Sequence, residues 1–256
     1  MLLSYASGVA YDFLVPKLTK WRQQNEPPLA EEARRPVEKA FSYPLAFQPG
    51  EGWMYGPGLD WAGRIVEPIT GGTLGGHVRQ RICKPLGTPV DDAQFYPAKG
   101  ESVRARLVDL NPDDPECLGR AVLGGGGDMN LRSKGDFGGH GRLMTGPGYL
   151  KVLKSLLVND GTLLHPEAGH RDAIEGMAGV FFRVRTEPGS KVGHGLGGLV
   201  PLENTEGCWF CDRTNGLCGL GAIQASLPVN GKIVSDLKQT FRHDMYRKHA
   251  AWKEQA

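Results

Sequence analysis

Apolar positions recur at helical spacing in four stretches of the chain and give way to strand-like runs toward its end. From Asp60, residues Ala62, Ile65, Val66 and Ile69 follow i, i+3, i+4 spacing, which predicts a helix capped by Asp60 and stopped at Gly71. Leu74, Val78 and Ile82 share one face of a second helix over Thr73 to Cys83, and Lys84-Pro85 ends it because the residue before proline avoids helical geometry. A third helix follows Pro147, with Leu150, Leu153, Leu156 and Leu157 inward and Asn159-Asp160-Gly161 as its stop. Ile233, Leu237, Phe241 and Met245 recur every four residues, so an amphipathic helix closes the chain and is expected to cover a sheet face.

Strand patterns occupy the last third. "GVFFRVR", Gly179 to Arg185, reads as one strand, and "CWFCDRTNGLCGLGAIQAS" as two strands joined at Asn215-Gly216, the dipeptide that two-residue type I′ turns prefer. The polar, proline-bearing stretch Arg22 to Pro36 predicts a loop or a short helical excursion rather than a linker between domains. Helices in the middle and strands at the end make the fold class α+β. Glycine clusters such as Gly71-Gly72, Gly124 to Gly127 and Gly138-Gly139 punctuate elements without an internal period. At 256 residues the chain fits one large domain, or one with an inserted subdomain.

Composition narrows the function classes. Thirty basic against 28 acidic residues leave a net charge of +2, and no basic stripe interleaved with aromatics suggests nucleic acid; a small molecule or a protein is the expected partner. Five cysteines in a chain this long do not make a disulfide scaffold, so reduced thiols are expected. The N-terminal residues lack the charged and apolar regions of a secretory signal, and no apolar run reaches membrane-spanning length. These readings point to a soluble cytoplasmic protein.

Generic motif searches mostly fail. Gly124 to Gly127 lacks the lysine of a phosphate-binding loop and reads as a turn. His165 and His170 are five apart with a proline between, a poor geometry for two metal ligands on one helical face. Cys208 and Cys211 form C-x-x-C with Cys218 nearby, but positions three apart on a strand point to opposite faces and no second pair completes four ligands. No metal and no cofactor is therefore expected. The one Ser-x-x-Lys, Ser235 to Lys238, lies off the apolar stripe of the last helix and reads as a solvated surface serine.

One residue stands out in "FQPGEGWMYGPGLDWAG", Phe47 to Gly63: Tyr55, on a glycine- and proline-rich loop just ahead of a helix. A lone tyrosine is more often a packing residue with a wetted hydroxyl than a catalyst. Several segments in collinear order, however, resemble the serine β-lactamase-related family of class C β-lactamases and serine esterases, in particular its fungal transesterase branch of lovastatin side-chain acyltransferases. "LLSYASGVAYDFLVPKL" is similar to the family's Leu-Leu-x-His-Thr-Ser-Gly-Leu stretch, with Tyr5 and Ala6 where His and Thr usually stand. "GEGWMYGPGLDWAGRIVEPITG" resembles the segment with the catalytic tyrosine, "DFGGHGRLMTGPGYLKVLKSLLVNDGTLL" the glycine turn and helix after it, and "GHGLGGLVPLEN" and "CWFCDRTNGLCGLGAIQ" the closing sheet.

The resemblance implies an antiparallel sheet flanked by helices with a helical subdomain, over residues 1–256 as a single partial domain incomplete at its N-terminus. It implies an acyltransferase, transesterase or ester hydrolase of fungal polyketide metabolism, with Tyr55 as general base. A phenol of ordinary pKa near 10 can serve only if nearby cations favour the phenolate. Its partners would be a thioester or ester acyl donor, a hydroxyl acceptor and a polyketide synthase carrier. Gly56 and Gly58 would let the backbone approach a bulky substrate. In the family a nucleophilic Ser-x-x-Lys precedes the stretch at which this chain begins, and an oxyanion-lining glycine strand stands where "LENTEG" runs directly into "CWFCDR". The expectation is therefore a chain that is poorly soluble and turns over little or nothing, the alternative being a remnant that binds a small molecule or a partner.

Overall fold

A computed structural model describes residues 1–26, 35–96, 100–106, 108–109, 122–123, 134–164, 192–195, 198–201, 209–212, 215–221 and 231–255. The helices are α1 (Pro16–Asn25), α2 (Val37–Ala40), α3 (Gly58–Thr70), α4 (Leu74–Val78), α5 (Glu101–Arg104), α6 (Gly146–Val158) and α7 (Gly231–Lys253). Eight short strands make four antiparallel pairs: β1 (Ala93–Gln94) with β4 (Leu143–Met144), β2 (Val108–Asp109) with β3 (Val122–Leu123), β5 (Val192–Gly195) with β6 (Gly198–Pro201), and β7 (Trp209–Asp212) with β8 (Leu217–Leu220). The α+β class expected from the pattern is the one observed.

Helix ends follow their local chemistry. Thr73 and Thr145 cap α4 and α6 by accepting the N–H of Gly76 and Gly148 at 3.1 and 3.2 Å. Gly71 and Asn159 end α3 and α6 with φ of 70° and 54°, the left-handed turn that frees the last carbonyls for capping. Helix α4 runs on through a wide turn, Arg79–Cys83, before Lys84-Pro85. The hairpin β7–β8 lies between α6 and α7, with Leu153 of α6 fully buried.

Several details differ from the sequence expectation. Helix α3 starts at Gly58 with Pro57 before it, so Asp60 is no cap but a fully buried side chain in the first turn. Ile65 and Ile69 face solvent at 47% and 77% exposure, because α3 packs by its glycine face: a Cβ on Gly63 would sit 2.6 Å from Leu74 of α4. Leu150 and Leu237 are likewise exposed. Polar contacts at the hairpin end set the rotation of α7: the Tyr246 hydroxyl donates to Asp212 at 2.6 Å and His249 meets the Asn215 carbonyl at 2.9 Å. Asp212 pairs with Leu217, which leaves four residues between them, and Asn215 does not share the positive φ of Gly216, so Asn215-Gly216 does not form a two-residue type I′ turn. Helix α1 runs into the N-terminal side of the stretch Arg22 to Pro36, for which a loop or a short helical excursion is expected, and ends at Asn25. The readings for Gly124 to Gly127, His165, His170, the strand from Gly179 to Arg185, the "LENTEG" segment, Cys208 and the Ser235 side chain lie outside the described residues.

Glycines bring residues 2–10 against 46–58. A Cβ on Gly56 would stand 2.2 Å from the Val9 carbonyl oxygen and one on Gly58 2.4 Å from that of Leu2. Both glycines thus serve chain-to-chain approach, and the space they leave is filled by protein backbone rather than open to substrate. Gly56→Ala forces that backbone apart and is expected to cost about 1–3 kcal/mol, lowering the thermal midpoint by roughly 2–12 °C. A circular-dichroism melt checks this, and an unchanged midpoint would contradict the packing described.

Candidate functional site

Tyr55 is placed by backbone before its side chain is considered. The Tyr11 N–H donates to the Tyr55 carbonyl at 3.3 Å, and the Met54 N–H donates to the Tyr5 carbonyl at 3.1 Å. On the far side of the same segment the Gly50 N–H reaches the Ala6 carbonyl at 2.8 Å and the Ala46 N–H the Gly8 carbonyl at 2.9 Å. Four hydrogen bonds therefore clamp the loop before α3 onto the N-terminal segment. Gly8 has φ of 81°, and the Phe47 carbonyl lies where its Cβ would be, so no other residue fits.

The clamp stacks aromatic rings around Tyr55. Its ring centroid lies 4.9 Å from that of Tyr5 and 5.4 Å from that of Tyr11, and Tyr5 meets Trp53 edge-on at 5.8 Å. Tyr5 and Trp53 are buried and Tyr55 half-buried. The cluster continues through Tyr11 to Phe13 and Phe41, from Phe41 to Phe137, and from Phe137 to His140 at 4.9 Å. Edge-to-face contacts at these separations contribute beyond simple area burial.

Beneath the cluster lies Asp60, with no exposed surface. Its Oδ1 accepts the Gly139 N–H at 2.8 Å and stands 3.4 Å from His140 Nδ1, while Oδ2 is buried without a hydrogen-bond partner. A Cβ on Gly139 would fall 2.6 Å from that oxygen. The turn at Gly138-Gly139 is thus docked on the start of α3, as close as glycine permits. Burial pushes the Tyr5 hydroxyl far above the ordinary tyrosine value, and Tyr55 and Asp60 push the same way; burial, then Asp60, does so for Tyr11. Both neighbours of Tyr55 therefore keep their protons. A second layer holds Tyr43, whose hydroxyl donates to the Ala10 carbonyl at 2.7 Å and whose ring lies under the Arg22 guanidinium at 5.4 Å.

The sequence singled out Tyr55, and the structure sets it among proton-bearing hydroxyls beside a buried carboxylate. The sequence points to Asp60 only as a helix cap, and no motif marks His140. The usable signal was a charged residue at a position whose helical neighbours are glycines, Gly58 and Gly63. Of the cysteine motif, Cys211 faces Cys218 across β7–β8, and among the described residues no group of three or more potential ligands could hold a metal. A depression of about 430 Å³ on α7, lined by Gln239, Thr240, His243, Asp244 and Arg247, shares no residue with the tyrosine cluster. Among the described residues no helix is long and apolar enough to cross a membrane.

Comparison with known proteins places this geometry in context. The profile of the family described as Beta-lactamase matches residues 1–213. A lovastatin esterase from Penicillium rubens is 54% identical over 285 aligned positions that take in 100% of this chain and 71% of the esterase. A monacolin J acid methylbutanoyltransferase from Aspergillus terreus is 30% identical over 283 positions, 97% of this chain and 66% of that enzyme. Unliganded simvastatin synthase from Aspergillus terreus superposes with a TM-score of 0.73 at 27% identity, over 96% of this chain and 68% of that one. The chain thus spans about two thirds of the length of these relatives. The esterase alignment is also longer than the 256 residues of the chain, so its matched stretch is interrupted by gaps.

Asp60→Ala is expected to destabilise the fold by about 1–3 kcal/mol more than Asp60→Asn, since alanine alone leaves the Gly139 N–H without its acceptor. Urea unfolding of the two variants measures the difference. Equal stabilities would mean that the docked turn does not depend on this bond.

Proposed function

The chain belongs to the β-lactamase family, and from that premise we propose that it acts in acyl transfer on a small-molecule ester of the polyketide type, as a serine acyl-enzyme esterase or transesterase. Support for the substrate class comes from the names of its relatives, a lovastatin esterase and a methylbutanoyltransferase. The observation that carries the reading is Tyr55, half-buried at the edge of an aromatic cluster on the loop that the family resemblance assigns to its catalytic tyrosine. In this role the Tyr55 phenolate accepts the proton of the attacking serine hydroxyl, and the resulting phenol returns it to the departing alcohol. The serine is that of the Ser-x-x-Lys element, which the resemblance places ahead of the 1–10 stretch. A thioester-bearing polyketide synthase carrier is the further partner of this reading. The Cys83, Cys211 and Cys218 thiols, none of them in a disulfide, fit a reducing, cytoplasmic setting.

A second reading, binding without turnover, is favoured by one observation: the single Ser-x-x-Lys of these 256 residues, Ser235 to Lys238, lies in α7 and not near Tyr55 in the chain. Hydrolysis of p-nitrophenyl esters separates the two. For the catalytic reading, Tyr55→Phe lowers kcat by about 10²–10⁴ with KM little changed. Equal rates in wild type and variant would remove Tyr55 from the mechanism, and saturable ester binding with no hydrolysis would establish the second reading.

A further inference from the structure

Tyr5 occupies an unusual backbone state. It closes the short helical turn Leu2–Ser4 with φ of 57° and ψ of 23°, a left-handed conformation that a bulky side chain rarely adopts. Strain of this kind persists only where the surroundings over-determine it, and it concentrates at functional positions. Here the surroundings do so. The Tyr5 N–H is bonded back to the Leu2 carbonyl, its own carbonyl takes the Met54 N–H, and its ring is buried between Trp53 and Tyr55. The strained turn sets the Tyr5 ring 4.9 Å from that of Tyr55 at a tilt of 54°, so the two side chains meet directly.

We propose that Tyr5 is a positioning residue for the proposed proton transfer, donating a hydrogen bond to the Tyr55 oxygen and stabilising it whenever it carries negative charge. The inference rests on the catalytic reading of Tyr55 but concerns a residue that stands where relatives of the resemblance carry histidine. Its direction follows from the cluster. Tyr5 is the more deeply buried of the pair, and with the Asp60 carboxylate nearby its own ionisation is disfavoured, so its proton stays in place. A hydrogen bond to the charged form of an acid favours that form. Through the cycle one proton travels from serine to Tyr55 and on to the leaving alcohol, while the Tyr5 proton only changes the strength of its bond.

The test uses tetranitromethane, which nitrates phenolate, with each tyrosine read by peptide mass spectrometry over a range of pH. Tyr5→Phe keeps the ring and removes the donor, and is expected to raise the pH of half-maximal Tyr55 nitration by about one unit, a tenfold change in ionisation. Tyr5→His restores a donor and is expected to recover most of that shift, which packing alone would not do; it also covers the case in which Tyr5→Phe fails to fold. An unchanged midpoint in folded Tyr5→Phe, or a Tyr5→His midpoint no different from that of Tyr5→Phe, overturns the proposal. Nitration needs no turnover, so a wild type that hydrolyses no ester yet shows the shift supports the Tyr5–Tyr55 pairing while counting against the proposed activity.

Discussion

The approach of two backbone segments closer than a Cβ allows is the constraint on which the rest of this structure depends. Residues 2–10 and 46–58 touch at Gly8, Gly56 and Gly58, and in each case a carbonyl oxygen of the opposite segment lies where a side chain would begin. Such contact brings N–H and C=O groups within bonding distance, and the four clamp bonds follow. Only then can the rings of Tyr5 and Tyr11 pack 4.9 and 5.4 Å from that of Tyr55, more than forty residues further along the chain. The glycine content that reads as loop punctuation is, at these positions, a packing device.

A second consequence is electrostatic. The aromatic cluster excludes water from one side of Tyr55, and the Gly138–His140 turn seals Asp60 below. Removal of water raises the cost of charge on a hydroxyl inside the cluster, so Tyr5 and Tyr11 stay neutral. For these two side chains burial outweighs any single charged neighbour.

Much of the architecture was legible in the sequence, because α3, α4, α6 and α7 are long enough for their apolar spacing to register and their ends carry Gly71, Thr73, Thr145 and Asn159. What the spacing could not reveal was rotation. Helix α3 packs by glycine against α4 and turns Ile65 and Ile69 outward, and α7 is turned by Tyr246 and His249 gripping the hairpin end, which leaves Leu237 exposed. Tyr55 was found through resemblance, supported by the physical requirement that a phenol base needs a special setting. Asp60 and the pairing of Tyr5 with Tyr55 were hidden because both depend on contacts across long sequence separations, 79 residues in the case of Asp60 and Gly139. No periodicity encodes such a pairing.

Most direct for the central claim, that burial keeps Tyr5 and Tyr11, the two tyrosines packed on Tyr55, in their protonated form, is carbon-13 NMR of the ring carbon bearing the hydroxyl, assigned for Tyr5 and Tyr11 and followed as pH is raised. The account predicts that both signals hold their protonated positions through the pH range in which an ordinary tyrosine, with a pKa near 10, ionises. Movement of either signal to its phenolate position in that range, with the fold intact, would contradict it.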